Sequence, residues 1–152
     1  MKKQSAGIVL YRQHQSEWQV LLVHPGGPFW KHKDDGVWSI PKGKIEGSEE
    51  PLAAARREFQ EETGFFPKGT PVPLTPIRQK SGKWVLPWAI LGDMDPAQIV
   101  SNKFEMEWPP KSGHIQKFPE VDKAAWFGFH EAALKINQGQ VALLEELQQL
   151  VR

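Results

Sequence analysis

Two continuous apolar runs open the chain, at residues 7–11 and 20–23, with a polar turn at residues 13–17 between them. Runs of this kind are typical of strands buried on both faces, and they predict a sheet that is covered on both sides. Prolines and glycines at residues 25–28 end the second strand. A short apolar stretch at residues 37–40 predicts another strand, which Pro41 ends.

The pattern changes to that of a helix over residues 51–63. Pro51 suits the first helical position, and Gly64 suits the C-terminal cap. An apolar stripe that would dock on the sheet recurs at helical spacing and consists of Leu52, Ala55 and Phe59. The sequence therefore predicts an amphipathic helix after the first strands.

Further strands are predicted over residues 75–79, 83–91, 104–108 and 124–129, and two helices over residues 130–137 and 141–151. Pro87 indicates an edge strand or a bulge, because proline cannot donate to a sheet ladder. In the last helix, the apolar residues that share one face are Leu143, Leu144, Leu147, Leu150 and Val151. Strands mixed with few helices predict an α/β or α+β sandwich.

The composition is typical of one globular domain over residues 1–152, with 39% hydrophobic and 24% charged residues. The 19 Lys and Arg residues balance 18 Asp and Glu, and the net charge of +1 argues against a nucleic acid or an anionic membrane as the main partner. No cysteine is present, which excludes disulfides, thiolate zinc ligands and cysteine nucleophiles. We expect a cytoplasmic protein, because no apolar run is long enough for a signal peptide or a membrane span.

Acidic residues concentrate in the segment 43–65, which reads GKIEGSEEPLAAARREFQEETGF. Glu58, Glu61 and Glu62 follow i, i+3, i+4 spacing, which places three carboxylates on one helix face. Like charges at these spacings destabilise an isolated helix by about 0.2–0.5 kcal/mol per pair. Arg57, the i,i+4 partner of Glu61, offsets part of the repulsion, and a divalent cation would offset more. Oxygen ligands without cysteine favour Mg²⁺ or Mn²⁺ over zinc, whereas the alternative interpretation is a solvated acidic face.

The wider spacing decides between these interpretations. Gly43, then Glu49 after five residues, and then the run REFQEETGF at residues 57–65 after seven more fill every fixed position of the Nudix box. Seven letters are fixed, each with a background frequency of roughly 5–7%, so chance agreement is on the order of 10⁻⁹ per starting point. The chain therefore resembles a Nudix hydrolase over essentially its whole length.

The resemblance implies an α/β/α sandwich with a mixed sheet. It also implies an enzyme, a pyrophosphohydrolase that uses Mg²⁺ or Mn²⁺ to hydrolyse a nucleoside diphosphate linked to another group. Glu49 and Arg57 would form the salt bridge that fixes the loop against the helix. The metal would be held by the backbone carbonyl of Gly43 and by three catalytic carboxylates, those of Glu58, Glu61 and Glu62.

The general base implied by the resemblance is a carboxylate near the metal. The three helical glutamates of the box are candidates, and in some family members the base lies on a later loop. The candidates there are Glu105, Glu107 and Glu120. Glu120 precedes the predicted strand at residues 124–129 much as a family metal ligand does, so it is also a candidate metal ligand. Its alternative role is that of a surface carboxylate.

Residues outside the box determine the substrate in this family. Pro41-Lys42-Gly43 resembles the diadenosine tetraphosphate hydrolase branch, in which the lysine contacts phosphate. That branch usually places a tyrosine after the box, whereas the only tyrosine here is Tyr11. Trp84 or Trp88 would supply the aromatic surface instead, or would pack in the core.

Other candidate substrate ligands are distributed over two regions of the chain. Trp30 lies in a polar loop and is predicted to line the mouth of the pocket. Lys83, Lys111 and His114 each lie near a glycine in a segment with excess positive charge, where a phosphate chain would be bound by point charges.

The predicted function is hydrolysis of a pyrophosphate bond in a small-molecule nucleotide, either a dinucleoside polyphosphate or a nucleoside triphosphate. The alternative is a nucleotide-sensing domain that uses the fold without catalysis. A lost box glutamate would mark such a domain, and here every acidic position is filled. The oligomeric state is left open.

Overall fold

A seven-stranded mixed sheet forms the centre of the computed structural model, which describes residues 4–152. Its strands are β1 (Gln4–His14), β2 (Glu17–Pro25), β3 (Lys42–Lys44), β4 (Val72–Pro73), β5 (Ile77–Arg78), β6 (Trp84–Leu91) and β9 (Val121–Gly128). The path across the sheet is β4-β6-β1-β2-β9, with β3 beside β1 and β5 beside β6. β1 and β6 are parallel, and the other pairs are antiparallel. A separate hairpin consists of β7 (Lys103–Glu107) and β8 (Ile115–Pro119).

Helices cover both faces of this sheet. They are α1 (Pro51–Thr63), α2 (Phe129–Lys135) and α3 (Val141–Leu150). α1 has the predicted bounds, with Pro51 in its first turn and the Gly64 backbone N–H donating to the Gln60 carbonyl at 2.8 Å. Short 3₁₀ turns at Pro96–Gln98 and Gln138–Gln140 complete the described elements.

Side chains alternate along the buried strands, so each face of the sheet has its own core. On one face, Ile8 and Leu21 pack with Ala55 and Phe59 of α1. On the other face, the core includes Val9, Leu22, Leu143, Leu144 and Leu147. The layers are those of the α/β/α sandwich with a mixed sheet that the sequence predicted.

The predicted strand at residues 37–40 is wrong. Trp38 and Ser39 form only isolated bridges, with Ile136 and Val23 respectively. The segment passes between β2 and the end of α2 instead of joining one ladder, because its backbone groups alternate between those two partners. Apolar periodicity could not distinguish this path from a strand.

Further details differ from the sequence prediction, which also lacks the short strands β3 and β4 and extends β5 to residues 75–79. Pro87 is not on an edge strand: β6 pairs on both sides, and its outer partner breaks into β4 and β5 opposite Pro87. The mainly exposed strand β8 was not predicted, because burial does not impose a clear apolar pattern on it. Leu150 is exposed at the end of α3, although it shares the helical stripe with buried leucines.

The pairing of β3 brings the start of the Nudix box to the helix that ends it. Gly43 lies opposite Ala6 on β1, and Lys42 lies opposite Gly7. Because α1 packs across β1 and β3, the loop between β3 and α1 closes back on the same side of the sheet. Residues 43 and 58 therefore meet in space.

Candidate active site

α1 presents its glutamates at the edge of the core rather than in open solvent. The Glu58 and Glu62 residues are only 8% and 9% exposed, and Glu61 is half-buried. Ala54 and Phe59 anchor the apolar side of the same helix against the sheet. The i, i+3, i+4 face predicted from the sequence is therefore turned into a partly desolvated cleft.

Gly43 packs directly against the carboxylate of Glu58. A Cβ at this position would overlap the carboxylate carbon and both oxygens of Glu58. Only glycine lets the β3 backbone approach the helix so closely. The first fixed glycine of the box is therefore explained by this contact.

Arg57 organises three carboxylates through its guanidinium. Nε and Nη2 donate to the two oxygens of Glu49 at 2.8 and 3.0 Å. Nη1 donates to Glu61 at 2.8 Å and to Glu58 at 3.0 Å. Nη2 also donates to the Lys44 carbonyl at 3.0 Å, which ties α1 to the end of β3. The contacts agree with the structural role that the resemblance implied for Glu49 and Arg57.

We predict that Arg57→Lys lowers both the thermal midpoint and turnover, the latter by roughly tenfold or more. Lysine keeps the charge but cannot form the bidentate fork, so Glu58 and Glu61 lose their fixed positions. The matched control is Arg56→Lys, since Arg56 contacts the Gly69 carbonyl and the Phe66 ring instead of the carboxylates. Equal effects of the two variants on turnover would contradict the prediction.

The Arg57 guanidinium also lowers the pKa of Glu49 from its ordinary value of 4.5. A lowered folded-state pKa stabilises the protein above the unfolded pKa, and that stabilisation is lost as the pH falls through the folded value. The difference in thermal midpoint between wild type and Arg57→Lys should therefore narrow as the pH is lowered below about 4.5. Differential scanning fluorimetry of both proteins over this pH range measures the difference in thermal midpoint.

The carboxylates of the cleft disfavour each other's ionised form. Burial raises the pKa of Glu62 well above its ordinary value, and the charges of Glu58 and Glu120 raise it further. Burial likewise raises the pKa of Glu58, with contributions from Glu61 and Glu120. The nearby Lys42 and Arg57 only partly oppose these effects. The cleft therefore carries negative charge that its own residues do not fully neutralise.

The donor set fits a hard divalent cation, although no ready-made cage exists. Within residues 4–152, no group of three His, Cys, Asp or Glu side chains has the geometry to hold an ion. Arg57 occupies oxygens of Glu58 and Glu61 in this arrangement. The repelling carboxylates and the absence of softer ligands nevertheless match the preference of Mg²⁺ and Mn²⁺ for oxygen.

Glu120 also lines the cleft, together with Lys42 and Glu62. The sequence alone allows either a metal ligand or a surface carboxylate at this position. The Glu120 backbone N–H donates to the Asn102 carbonyl at 2.8 Å, and the Asn102 N–H donates to the carbonyl of Glu61 at 2.8 Å. The base of the β7–β8 hairpin is therefore bound to the end of α1.

The other two later glutamates lie away from this cleft. Glu105 is exposed on the hairpin and lies 4.0 Å from Lys117. Glu107 accepts from the backbone N–H groups of Lys111 and Gly113, so it closes the hairpin tip. Of the three later candidates for a general base, only Glu120 lines the cleft.

Lys42 is half-buried and lines the cleft with Glu62 and Glu120. Burial lowers the pKa of its ammonium group, and Glu62 and Glu58 oppose that shift. The charge of Lys83 lowers the pKa further. Of these two predicted phosphate ligands, Lys42 lines the cleft.

The remaining predicted ligands lie in other segments of the chain. Lys111 and His114 lie at the hairpin tip, about 17 Å from its base for a five-residue strand at roughly 3.4 Å per residue. Trp30 is 40% exposed in the loop after β2, with the Lys33 ammonium 5.2 Å from its ring centroid. Trp84 begins β6, opposite Gln4.

Sequence reasoning missed Ser39, which lines the cleft beside Lys42 and Glu62. Its position three residues before Lys42 was the available signal, but it was assigned to a strand. Val121 lines the cleft next to Glu120 and was missed because an apolar residue in a strand indicates core packing.

The family model for the NUDIX domain matches residues 1–147 of the chain. The chain belongs to the NUDIX family. Members of this family use divalent metal ions, which agrees with the acidic cleft. The family match thus agrees with the resemblance that the box residues indicated.

Among curated proteins, an RNA pyrophosphohydrolase of Bartonella henselae is 35% identical over 67 residues, which cover 41% of this Nudix chain and 36% of that protein. The match therefore spans about a third of that relative's length.

Two solved structures share the fold over nearly the whole chain. The NUDIX domain of Shewanella oneidensis NrtR complexed with ADP ribose has a TM-score of 0.70 and 18% identity, over 100% of this chain and 90% of that one. A C. elegans Ap4A hydrolase binary complex has a TM-score of 0.67 and 21% identity, over 97% of both chains. At these identities the likeness establishes the fold.

No helix within residues 4–152 is long and apolar enough to cross a membrane.

Proposed function

We propose that this Nudix protein is a metal-dependent pyrophosphohydrolase that acts on a small nucleotide. The observation that carries the proposal is the charge arrangement of the cleft: the buried Glu58 and Glu62 meet Glu120 and the half-buried Lys42. Acidic groups that repel one another beside a partly desolvated cation suit a site where a metal ion and a phosphate chain bind together. The curated relative's name supports the same reaction class.

In this proposal the ion is held by the Gly43 carbonyl, Glu58, Glu61 and Glu62, with Glu120 on the facing wall. A bound Mg²⁺ or Mn²⁺ would neutralise phosphate charge and lower the pKa of an attacking water. The proton acceptor would be Glu62 or Glu120, because the Arg57 contacts described above go to Glu58 and Glu61. Burial raises the pKa of Glu62, which suits this carboxylate to accepting a proton near neutral pH.

The phosphate chain would lie along Lys42, with Lys83 as a second cation. Lys42 is half-buried on β3, and the charges of Glu62 and Glu58 act on its ammonium group. A point charge on a partly desolvated stem binds phosphate without strict geometry. Lys111 and His114 at the hairpin tip would contact only a long substrate.

We expect Lys42→Gln to raise KM by roughly 10- to 100-fold, because a hydrogen bond to a charged group contributes about 1.5–3 kcal/mol. The matched control is Lys44→Gln, two residues along the same strand with an exposed side chain. That control should leave KM within about twofold of wild type, since the Lys44 contact with Arg57 uses only its backbone carbonyl. Steady-state kinetics at saturating metal measure both, and an unchanged KM in Lys42→Gln would count against the phosphate role.

The base of the nucleotide would stack near the loop after β2. Phe29 and Trp30 are 58% and 40% exposed there, and the Phe29 ring lies edge-on to Trp108 of the hairpin at 5.4 Å. The Gly26 N–H donates to the Glu120 carbonyl at 2.9 Å, so this loop starts at the cleft. Exposed aromatic rings on the loop that starts at the cleft support a nucleotide substrate, because bases stack on aromatic side chains.

The deciding experiment is product analysis with Mg²⁺ and a substrate panel. The panel contains diadenosine tetraphosphate, nucleoside triphosphates, an oxidised guanine nucleotide, ADP-ribose, a diphosphoinositol phosphate and an RNA with a 5′-triphosphate. We expect the wild type to cleave a dinucleoside polyphosphate or a nucleoside triphosphate in preference to RNA, given the net charge of +1. Nucleotide binding without any cleavage would instead support a sensing domain.

A further inference from the structure

Residues 36–40 lead into the site, and their backbone hydrogen bonds alternate between the end of α2 and strand β2. The Gly36 and Trp38 N–H groups donate to the Lys135 carbonyl, each at 3.0 Å. Asn137 donates its N–H to the Trp38 carbonyl at 2.7 Å. Ser39 faces the other way and exchanges two bonds with Val23 of β2, at 2.9 and 3.0 Å.

At Ile40 the backbone N–H donates to a side chain instead of a backbone carbonyl. The chain has turned into the 3₁₀ turn Gln138–Gln140 and offers no backbone carbonyl there. The Ile40 N–H donates instead to Oε1 of Gln140 at 3.1 Å. Gln140 is 1% exposed, so this amide replaces a carbonyl inside the core.

Ser39 closes a ring of hydrogen bonds around the backbone of Ile40. Nε2 of Gln140 donates to the Ser39 hydroxyl at 3.0 Å, and that hydroxyl donates to the Ile40 carbonyl at 2.7 Å. Both polar backbone groups of Ile40 are therefore fixed by one buried amide and one hydroxyl. Buried polar groups satisfied in this way specify one arrangement, because leaving any of them unpaired costs free energy.

The fixed peptide is followed by the residues of the cleft. The Ile8 N–H donates to the Pro41 carbonyl at 3.1 Å, and a Cβ at Gly7 would lie 2.8 Å from Cβ of Lys42 and 2.9 Å from Cδ1 of Ile40. The chain between Ile40 and Lys42 is therefore held from both sides with little room to move. Gly43, the next residue, packs on the Glu58 carboxylate with no space for a methyl group.

We propose that Gln140 is a positioning residue for the active site, which sets the place of the Lys42 ammonium and of the Gly43 backbone through Ile40 and Pro41. The expected kinetic consequence rests on the proposed function. The expected displacement of Gly43 when Gln140 is replaced does not depend on any activity. A misplacement of about 1 Å at a reacting site can cost on the order of 10²-fold in rate.

The test variant is Gln140→Met, which keeps side-chain length but removes both hydrogen-bonding groups. Gln138→Met is the matched control, because Gln138 is an exposed glutamine of the same turn whose amide donates to the Ala133 and Ile136 carbonyls. Ser39→Ala is a milder second variant, which removes both the acceptor of the Gln140 Nε2 bond and the donor to the Ile40 carbonyl. Of the ring, only the Ile40 N–H bond to Gln140 then remains. This second variant serves if Gln140→Met does not fold.

The first measurement is the amide spectrum of the metal-free, full-length protein by ¹H–¹⁵N NMR. We expect the Lys42, Gly43 and Lys44 amide peaks to shift in Gln140→Met, to shift less in Ser39→Ala and to stay in place in Gln138→Met. Unmoved peaks in a folded Gln140→Met protein, or in Ser39→Ala if the former does not fold, would overturn the proposal.

The second measurement is steady-state kinetics well below the thermal midpoint of each variant. We expect kcat/KM to fall at least tenfold in Gln140→Met, with both a lower kcat and a higher KM, and at most twofold in Gln138→Met. Shifted Gly43 peaks with unchanged kinetics would overturn the functional consequence. If wild type cleaves nothing in the panel, the proposed function fails, whereas the spectrum still decides the positioning role.

Discussion

Glu62→Gln should reduce turnover by about 10²- to 10⁴-fold while leaving the fold intact. The substitution keeps the size of the side chain but removes the negative charge from the carboxylate that burial affects most strongly. Loss of a metal ligand or of a general base has effects of about 10²–10⁴-fold. Single-turnover and steady-state assays on the preferred substrate measure the loss, with circular dichroism as the test of folding.

The matched control is Glu145→Gln, which neutralises an exposed glutamate on α3. It should retain wild-type kinetics. Full activity in a folded Glu62→Gln protein would remove Glu62 from the site and with it the residue assignment carried over from the box.

The same substitution should stabilise the metal-free protein at neutral pH, although it lowers turnover. Burial raises the pKa of Glu62, so the folded state binds the proton more tightly than the unfolded chain does. The stability that this proton contributes is present below about pH 4.5 and is lost as the pH rises through the folded value. At pH 7 without metal, Glu62→Gln should therefore melt at a higher temperature than wild type. Addition of Mg²⁺ should narrow or reverse that difference, because only the wild type offers the full ligand set.

Gly43→Ala should reduce turnover by roughly 10²-fold and lower the thermal midpoint. The new methyl group would overlap the Glu58 carboxylate, so either β3 or the carboxylate must move. Gly47→Ala is the control, because a Cβ at Gly47 would meet no atom within 4 Å. Its φ of 53° makes alanine costly there by about 1–2 kcal/mol, so this control loses stability without touching the carboxylates.

The pair separates a local steric effect from general destabilisation. Turnover per folded molecule should fall in Gly43→Ala and stay near wild type in Gly47→Ala. Equal losses in both variants would mean that the glycine of β3 serves the fold alone. Kinetics normalised to the folded fraction, measured by circular dichroism, make the comparison.

The sequence by itself determined α1 and the identity of the box. Helix-breaking residues at both ends of residues 51–63 and the i, i+3, i+4 spacing of three glutamates are local features, which neighbouring residues encode without long-range contacts. The buried strands β1 and β2 were also readable, because burial on both faces demands unbroken apolar runs. The Arg57 to Glu61 pair followed from helical geometry and is present at 2.8 Å.

Only the tertiary structure decided what surrounds that helix. Residues 37–40 looked like a strand because their apolar pattern is the same whether they join a ladder or cross between two layers. The resemblance singled out Glu120 from Glu105 and Glu107 only by its place before the strand at residues 124–129. That Glu120 lines the cleft depends on the hairpin base, which is hydrogen-bonded to the end of α1. Gln140 had no local signal at all, because its partner Ile40 is 100 residues away. Contacts between distant segments arise from packing and register, and a single sequence contains no direct record of either.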